Sequence, residues 1–449
     1  MATVVRTAPA PQPQLRPQAC RLQFDRDGLE HQRRPGFTEL VGVEPESSGH
    51  PTVWRLDTLR EARDRAAAAP LRTLQQLASA AGWRLALVGG AVRDGHLDRP
   101  GSGPDIDLLL EGPAPELARR LLAADPAATH DLRLHEAYGT VSLAWGELRI
   151  DIASARRETY ACPGAHPTVT LGVPLEADLA RRDFSVNAMA RLLPDGPLLD
   201  PFDGRNDLAA GRLRFLHGAS VSDDPTRVLR AARYGARLDL RLEGDDLGQV
   251  QRTLARWPWS ATPAPPALGS RLRMELDLLL DQEPWREALA LLQAWGALGL
   301  IDPELQHDRS WPQRLAWAER WGLPLLPALL APLAAPEATA ARLDLPLQQA
   351  RALAAAAQLR RWLATNPLPV DAVAWDERLA PVGADAVALA LLATGRRGRR
   401  PLLRWLLRWQ RLTSPVGARE LLARGVPAGP ALGQELRRLR QERLRQERC

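Results

Sequence analysis

RLALVGGAVRDGHLDRPGSGPDIDLLLE, residues 84–111, decides the fold of this chain. Its first part is a short apolar run, Leu85 to Val88, that enters the glycine pair Gly89 and Gly90. Its last part, PDIDLLLE, is a second apolar run opened by two aspartates and followed by Gly112. Short apolar runs bounded by glycine and proline read as strands. Alternation on a strand puts Asp105 and Asp107 on one face, about 6 to 7 Å apart along the backbone. That pair alone is also what a solvated strand end looks like. Two neighbours favour a site. Gly89 and Gly90 allow close backbone approach to a phosphate, and Arg93 with Asp94 follows within one helical turn. The glycines form neither GxGxxG nor a Walker sequence, which argues against a dinucleotide oxidoreductase.

Working outward, PLRTLQQLASAAGW before this stretch is helical in pattern, so a folded unit begins near residue 65. After it, APELARRLLAAD reads as a helix, and GTVSLAW with LRIDIASAR reads as two strands joined at Gly146 and Glu147. In the second strand Leu148, Ile150 and Ile152 take one face and Asp151 the other. If that strand is adjacent, three carboxylates converge and repel unless cations neutralise them, which two Mg²⁺ ions about 3.5 to 4 Å apart would do. Periodicity fades between Arg157 and Pro174, suggesting a mobile loop, and LEADLARRDFSVNAMARLL resumes a helical pattern. That pattern puts Arg181, Arg182 and Asp183 in one helical turn, a salt-bridged surface in the plain reading, with Asn187 organising hydrogen bonds nearby. Past residue 200 strand signals nearly vanish, and helical segments follow between proline-rich connections.

With 449 residues, 45% of them hydrophobic and 25% charged, the chain is long enough for several domains and folded over most of its length. Residues 1–64 are the exception, a Pro/Arg-rich leader expected to be poorly ordered. No continuous apolar segment resembles a secretion signal, and the uncharged stretch 321–336 is short and broken by prolines. The expectation is a cytoplasmic protein without a membrane partner. Three scattered cysteines, Cys20, Cys162 and Cys449, exclude a disulfide scaffold or a cysteine-rich zinc site. The net charge is +6 and the 59 basic residues are all arginine, which permits a polyanionic partner without demanding one.

Two arginine clusters sharpen that. Asp224, Arg227, Arg230 and Arg233 recur every three residues in DDPTRVLRAARYGARL, with Pro225 suited to a helix start. Such a row is ordinarily an exposed stripe. Beside a carboxylate site, Asp224 can accept from a base amino group while Arg227 donates to a base acceptor. Further on, residues 391–420 hold Arg396, Arg397, Arg399, Arg400, Arg404, Arg408, Arg411 and Arg419 against Glu420 alone. Arg404, Arg408 and Arg411 fit one helical face that could track RNA phosphates, or be a solvated helix face stabilised by the arginine stems. Trp405 and Trp409, at helical spacing, read as core rather than as a stacking platform. His307 and Asp308 have no second histidine after residue 240 to complete a phosphohydrolase metal site, so they read as surface polar residues.

LVGGAVRD, PDIDLLLEG, ARRDFSVNAMA, DPFDGRNDL and DDPTRVLRAARYGARL resemble, in order, the motifs of the class II tRNA nucleotidyltransferase and bacterial poly(A) polymerase family. One departure is GHLD, residues 95–98, where the family has a leucine-rich run ending in glycine. The resemblance implies an α/β nucleotidyltransferase head, a small mixed sheet with flanking helices, followed by an elongated all-helical neck, body and tail. Domain boundaries fall at 65–200 for the head, 201–300 for a helical neck with the nucleobase-recognition helix, and 301–449 for the body and basic RNA-binding tail. It implies that Asp105 and Asp107 bind catalytic Mg²⁺, that Asp151 is the additional strand carboxylate, and that Gly89, Gly90 and Arg93 approach the triphosphate. Arg181, Arg182 and Asp183 would meet the sugar and phosphates. Asp224 and Arg227 would read the base, supported by Arg230 and Arg233.

The reaction that follows is template-independent transfer from CTP and ATP to the 3′-hydroxyl of tRNA, building its CCA end. A C-only or A-only tRNA enzyme and a poly(A) polymerase would use the same residues. A catalytically silent RNA-binding protein is the alternative of another class. Oligomeric state is open at this level.

Overall fold

The computed structural model describes residues 62–97, 105–125, 129–145, 148–256 and 268–447. Most of the Pro/Arg-rich leader, the Gly146–Glu147 turn, Cys20 and Cys449 lie outside the described residues.

The head opens with α1 (Ala62–Ala80) and β1 (Leu85–Val88), followed by α2 (Gly90–His96), β2 (Asp105–Leu110) and α3 (Ala114–Ala124). Then come β3 (Thr129–His135), β4 (Thr140–Trp145) and β5 (Leu148–Ser154). β6 (Arg156–Thr159), β7 (Thr168–Leu171), α4 (Leu175–Ala180), β8 (Ala190–Leu192) and β9 (Leu198–Leu199) complete it. Among the described residues seven strands pair in the order β3-β4-β5-β2-β1-β8-β9. β2 and β5 run parallel, and the other neighbours run antiparallel. Alternation sorts the side chains as the sequence pattern requires. Leu108 and Leu110 of β2 and Ile150 and Ile152 of β5 join Leu74 of α1 and Leu117 and Leu121 of α3 in one core. On the opposite face Leu109 packs with Ala86, Val88, Leu175, Leu179 and Ala190. α4 thus covers only part of that face, and Asp107 of β2 stays exposed on it.

Two expectations are corrected here. The stretch from Arg157 to Pro174 is an antiparallel hairpin, with Arg156 paired to Leu171 and Thr159 to Thr168. Pro163, Gly164 and Pro167 sit in the connection between the strands, Gly172 and Pro174 follow the second, and together they mask four-residue strands too short to show periodicity. The second concerns LEADLARRDFSVNAMARLL, whose helix stops at Ala180. Arg181 to Asp183 form a turn and Ala190 starts β8, because Ala188 and Ala190 are drawn under the sheet while Val186 and Met189 turn to the helical side.

The rest of the described chain is helical: α5 (Gly204–Ala209), α6 (Ser220–Asp223), α7 (Thr226–Leu238), α8 (Gly244–Arg256), α9 (Leu268–Gln282) and α10 (Trp285–Ala294). α11 (Trp311–Arg320), α12 (Leu325–Leu330), α13 (Pro336–Arg342), α14 (Leu347–Thr365) and α15 (Ala372–Leu379) continue it. α16 (Ala384–Ala393), α17 (Arg399–Leu407), α18 (Ala418–Ala423) and α19 (Pro430–Arg445) end it. One apolar core runs through this region, from Val92 and Phe184 in the head to Leu444 in α19. Trp405 and Trp409 are buried in it, as core residues. Asp376 accepts hydrogen bonds from Trp405 Nε1 at 2.9 Å and from the Arg440 guanidinium, which fastens α19 to α15. The helical face expected for Arg404, Arg408 and Arg411 does not form, since α17 ends at Leu407, Arg408 leaves helical geometry at φ −131°, and Arg411 lies in a separate short 3₁₀ turn. Among the described residues no helix is long and apolar enough to cross a membrane.

Candidate active site

A cavity of about 490 Å³ opens where the uncovered end of the sheet meets α7 and α9. Its walls come from both halves of the molecule: Gly89, Gly90, Arg93, Asp107, Arg181, Arg182 and Asp183 from the head, and Asp224, Arg227, Arg230, Arg271 and Glu275 from the helices. Asp107 stands opposite Asp151 in the parallel register of β2 and β5, and Asp151 stands opposite Ser142 of β4. Neighbouring strands lie about 4.8 Å apart, so these three side chains form a row on one face. The Ser142 hydroxyl donates to Asp151 Oδ1. Asp105 lies two positions before Asp107 on β2, and its side chain falls outside the described residues.

Gly89 shapes the floor. Its φ of 70° and ψ of −139° belong to a region essentially reserved for glycine, and a Cβ there would lie 3.2 Å from Asp107 Oδ2. The bare backbone therefore closes one side of the carboxylate and turns the chain into α2. From α2, Arg93 reaches back, donating to Asp94 Oδ1 at 2.9 Å and to Asn187 Oδ1 at 2.8 Å, with its guanidinium 5.3 Å from the Tyr234 ring centre.

Arg181 pairs with Asp178 at 2.8 Å and with Glu158 of β6 at 2.9 Å, which ties the hairpin to the turn after α4. Tyr160 donates to Glu158 at 3.0 Å, and burial followed by that carboxylate pushes its phenol up to about 12, so it remains a donor at neutral pH. Burial pushes the Arg182 guanidinium down from its ordinary value, opposed by Asp178 and, more weakly, by Asp107. Burial would raise the Asp183 carboxyl, but Arg230 and the Asn187 amide outweigh it and hold the group below its usual range. Arg230 Nε donates to Asp183 at 2.7 Å and Asn187 Nδ2 donates to the same carboxylate at 3.1 Å.

Asp224 precedes α7 and accepts from Thr226 N at 3.1 Å, from Thr226 Oγ1 at 2.7 Å and from Arg271 of α9. Arg227 is buried, donating to Arg181 O at 2.8 Å and to Ser220, which fixes its guanidinium at the cavity wall. Arg233 stands apart from this group. It does not line the cavity and instead pairs with Glu275 and with Glu283, the latter at 3.3 Å.

Arg271 and Glu275 escaped the sequence reading because they sit in an ordinary amphipathic helix and find their partners 47 and 45 positions away. Tyr160 was missed because its segment read as a loop. Among the described residues no group of three potential metal ligands is gathered. The row of Asp107 and Asp151, with Asp105 on the same strand, is a set of hard oxygen donors of the kind Mg²⁺ takes.

Residues 85–214 match the poly(A) polymerase head domain family. The CC-adding tRNA nucleotidyltransferase of Deinococcus radiodurans is 36% identical over 360 residues, 79% of this chain and 83% of that protein. The A-adding tRNA nucleotidyltransferase of Halalkalibacterium halodurans is 43% identical over 177 residues, 38% of this chain. That of Aquifex aeolicus is 35% identical over 237 residues, 52% of this chain. The matched regions span only 40% and 27% of the lengths of these two A-adding relatives. Among solved structures, a CCA-adding enzyme in its apo form II superposes with a TM-score of 0.67 at 26% identity, covering 84% of this chain and 92% of that one. The Thermotoga maritima CCA-adding enzyme complexed with tRNA shares the fold with a TM-score of 0.64 at 24% identity, covering 88% and 94%. Matched across most of its length to the Deinococcus radiodurans protein, with the head and the helical tract that the motif order implies, this chain belongs to the class II nucleotidyltransferase family.

Proposed function

We propose that this protein transfers nucleotidyl groups from CTP and ATP to the 3′-hydroxyl of tRNA and so builds or repairs the CCA end. The observation that carries the reading is that Asp107, beside the bare Gly89 backbone, shares one cavity with Asp224 and Arg227. Phosphate chemistry and base recognition then fall within one nucleotide's reach.

In this reading Asp105 and Asp107, helped by Asp151, hold Mg²⁺. When bound, the metal supplies Lewis acidity that lowers the pKa of the attacking hydroxyl and offsets charge on the departing pyrophosphate. The chain's own residues position the reactants. Gly90 and Arg93 take the triphosphate, Arg181 and Arg182 the sugar and phosphates, and Asp183 orients Arg230 and Asn187. Asp224 accepts from the exocyclic amine common to cytosine and adenine, while Arg227 donates to the neighbouring ring acceptor. Two fixed side chains replace a template strand. Arg233 supports α7 from behind through Glu275 and Glu283. The exposed arginines Arg396, Arg397, Arg399 and Arg400, with Arg404, Arg408 and Arg411, engage RNA phosphates.

The test uses tRNA transcripts ending before CCA, after C and after CC, each with CTP and ATP separately and with Mg²⁺ present or chelated. CTP should extend the first two and ATP the third, only with Mg²⁺. No extension of any of these ends, with ATP alone extending unrelated RNA, would replace this reading with poly(A) synthesis. Addition of C but never A would support a CC-adding enzyme, which the Deinococcus radiodurans relative favours.

A further inference from the structure

A second cavity, of about 330 Å³, lies in the helical region between the C-terminal turns of α14 and α16 and the segment around Leu333. Its floor is apolar, formed by Leu333, Ala357 and Leu363, and its rim carries Arg360, Arg361 and Arg397. Arg360 donates to three consecutive carbonyls, including Pro332 at 3.0 Å and Leu333 at 3.2 Å. Arg397 donates to the carbonyls of Ala364 at 2.9 Å and Asn366 at 2.8 Å, at the end of α14. Carbonyls satisfy hydrogen bonds without cancelling a unit charge. The carbonyl partners of these two guanidiniums therefore leave their charge uncompensated, and burial, then Arg314 and Arg361, push Arg360 down from its ordinary value. Of the three, only Arg361 forms an ion pair among the described residues, with Glu337 at 2.7 Å.

The surrounding sequence adds more positive charge. Residues 386–419 contain no acidic side chain, and Arg396, Arg399 and Arg400 are exposed beside Arg397. Gly398 pins this arginine loop to the cavity, since its φ is +75° and a Cβ would lie 2.8 Å from Leu363 Cδ2. The rim is therefore held in place before any partner arrives. A volume near 330 Å³ sits at the low end for ligand sites, enough for one flat group and too small for a peptide helix. A base-paired nucleotide would have to unpair and unstack, at a cost in free energy, to enter. An unstacked one enters without that cost, its ring lying between an apolar floor and guanidinium planes and its phosphate at the cationic rim.

We propose that this cavity receives a single unstacked nucleotide of the RNA substrate and is a second anchoring point, remote in sequence from the nucleotide-transfer cavity. The inference rests on the RNA-directed reading above.

Ala364 is exposed and lines the cavity, and it contributes only its carbonyl to Arg397, so Ala364→Trp fills the space while leaving that bond intact. The expected result is a KM for tRNA raised about tenfold with kcat unchanged. An RNA duplex of two annealed strands, with the same 3′ end and no loop, should be extended equally by both proteins. An unchanged KM for tRNA, or an equal rise for tRNA and duplex, would overturn the proposal. Should the variant melt early, a benzophenone photo-crosslinker placed at position 364 reads the same contact. Crosslinks to one unpaired tRNA nucleotide support the proposal, and crosslinks spread over the RNA, to another protein only, or to nothing refute it. If the parent protein extends no tRNA, the functional reading fails by itself, and gel-shift binding of tRNA by parent and variant still decides the cavity.

Discussion

Asp107 and Asp151 face one another directly across the parallel pair β2 and β5, and Ser142 continues the row onto β4 with its hydroxyl donated to Asp151. Two carboxylates on adjacent strands repel unless a cation lies between them. Asp107→Asn should abolish transfer, a loss of about 10³-fold or more given the several kcal/mol a catalytic metal supplies. Ser142→Ala removes only the hydroxyl that orients Asp151 and should raise the Mg²⁺ concentration for half-maximal activity about 10- to 100-fold. Magnesium titrations of nucleotide incorporation check both. Unchanged Mg²⁺ dependence in Asp107→Asn would remove the metal assignment.

Gly89→Ala places a Cβ against Asp107 Oδ2 in a backbone conformation that side chains avoid. The strain should cost about 1 to 3 kcal/mol of stability and displace the carboxylate. Denaturant melts and kcat/KM are the measurements, and a variant as active and stable as the parent would show that the tight floor is unimportant.

Arg271→Ala leaves the Asp224 carboxylate without the guanidinium that fixes it and loosens the hairpin, whose Gly164 and Ala165 carbonyls the same side chain binds. The expected effect is a KM for the nucleotide raised about tenfold, near 1.4 kcal/mol, together with weaker discrimination against UTP and GTP. Competition assays with all four nucleotides read it out.

The Asp183 carboxyl, held low by Arg230 and Asn187 against its own burial, makes stability depend on pH. Because its folded pKa lies below the unfolded one, it stabilises fully above the unfolded value, near 4, and this contribution fades as pH falls toward the folded value. Arg230→Gln removes the main opposing charge, so desolvation raises the carboxyl instead. Acid loss of thermal stability should then begin at a higher pH than in the parent, with about 3 kcal/mol lost at neutral pH. Melting temperature recorded from pH 3 to 8 tests this, and coincident profiles would contradict it.

Asp376→Ala leaves Trp405 Nε1 and the Arg440 guanidinium without their buried acceptor. About 3 kcal/mol of anchoring should be lost, mostly from α19. Hydrogen exchange ought to show faster opening of residues 430–445 while the head strands keep their protection.

Period-two alternation made the carboxylate row legible, because Asp107 and Asp151 each interrupt an apolar run at a position whose neighbours must be buried. The three-residue spacing of Arg227, Arg230 and Arg233 likewise announced a helix, since α7 obeys a local rule. What sequence could not give was the set of long-range partners. Arg233 looks identical to Arg227 in one dimension, yet it faces Glu283, 50 positions later, and leaves the cavity wall. The turn at Arg181 to Asp183 was hidden for a related reason. Its residues have helical propensity, and only pairing of β8 with β1 forces the chain to leave the helix.

Among the described residues, the apolar seam that begins at Val92 and Phe184 and ends at Leu444 has no seam-free interval in the neck. Anyone trimming this molecule toward a minimal catalytic fragment would find that each cut there strands an oily surface. Such fragments are bound for inclusion bodies unless the exposed face is redesigned along with the cut.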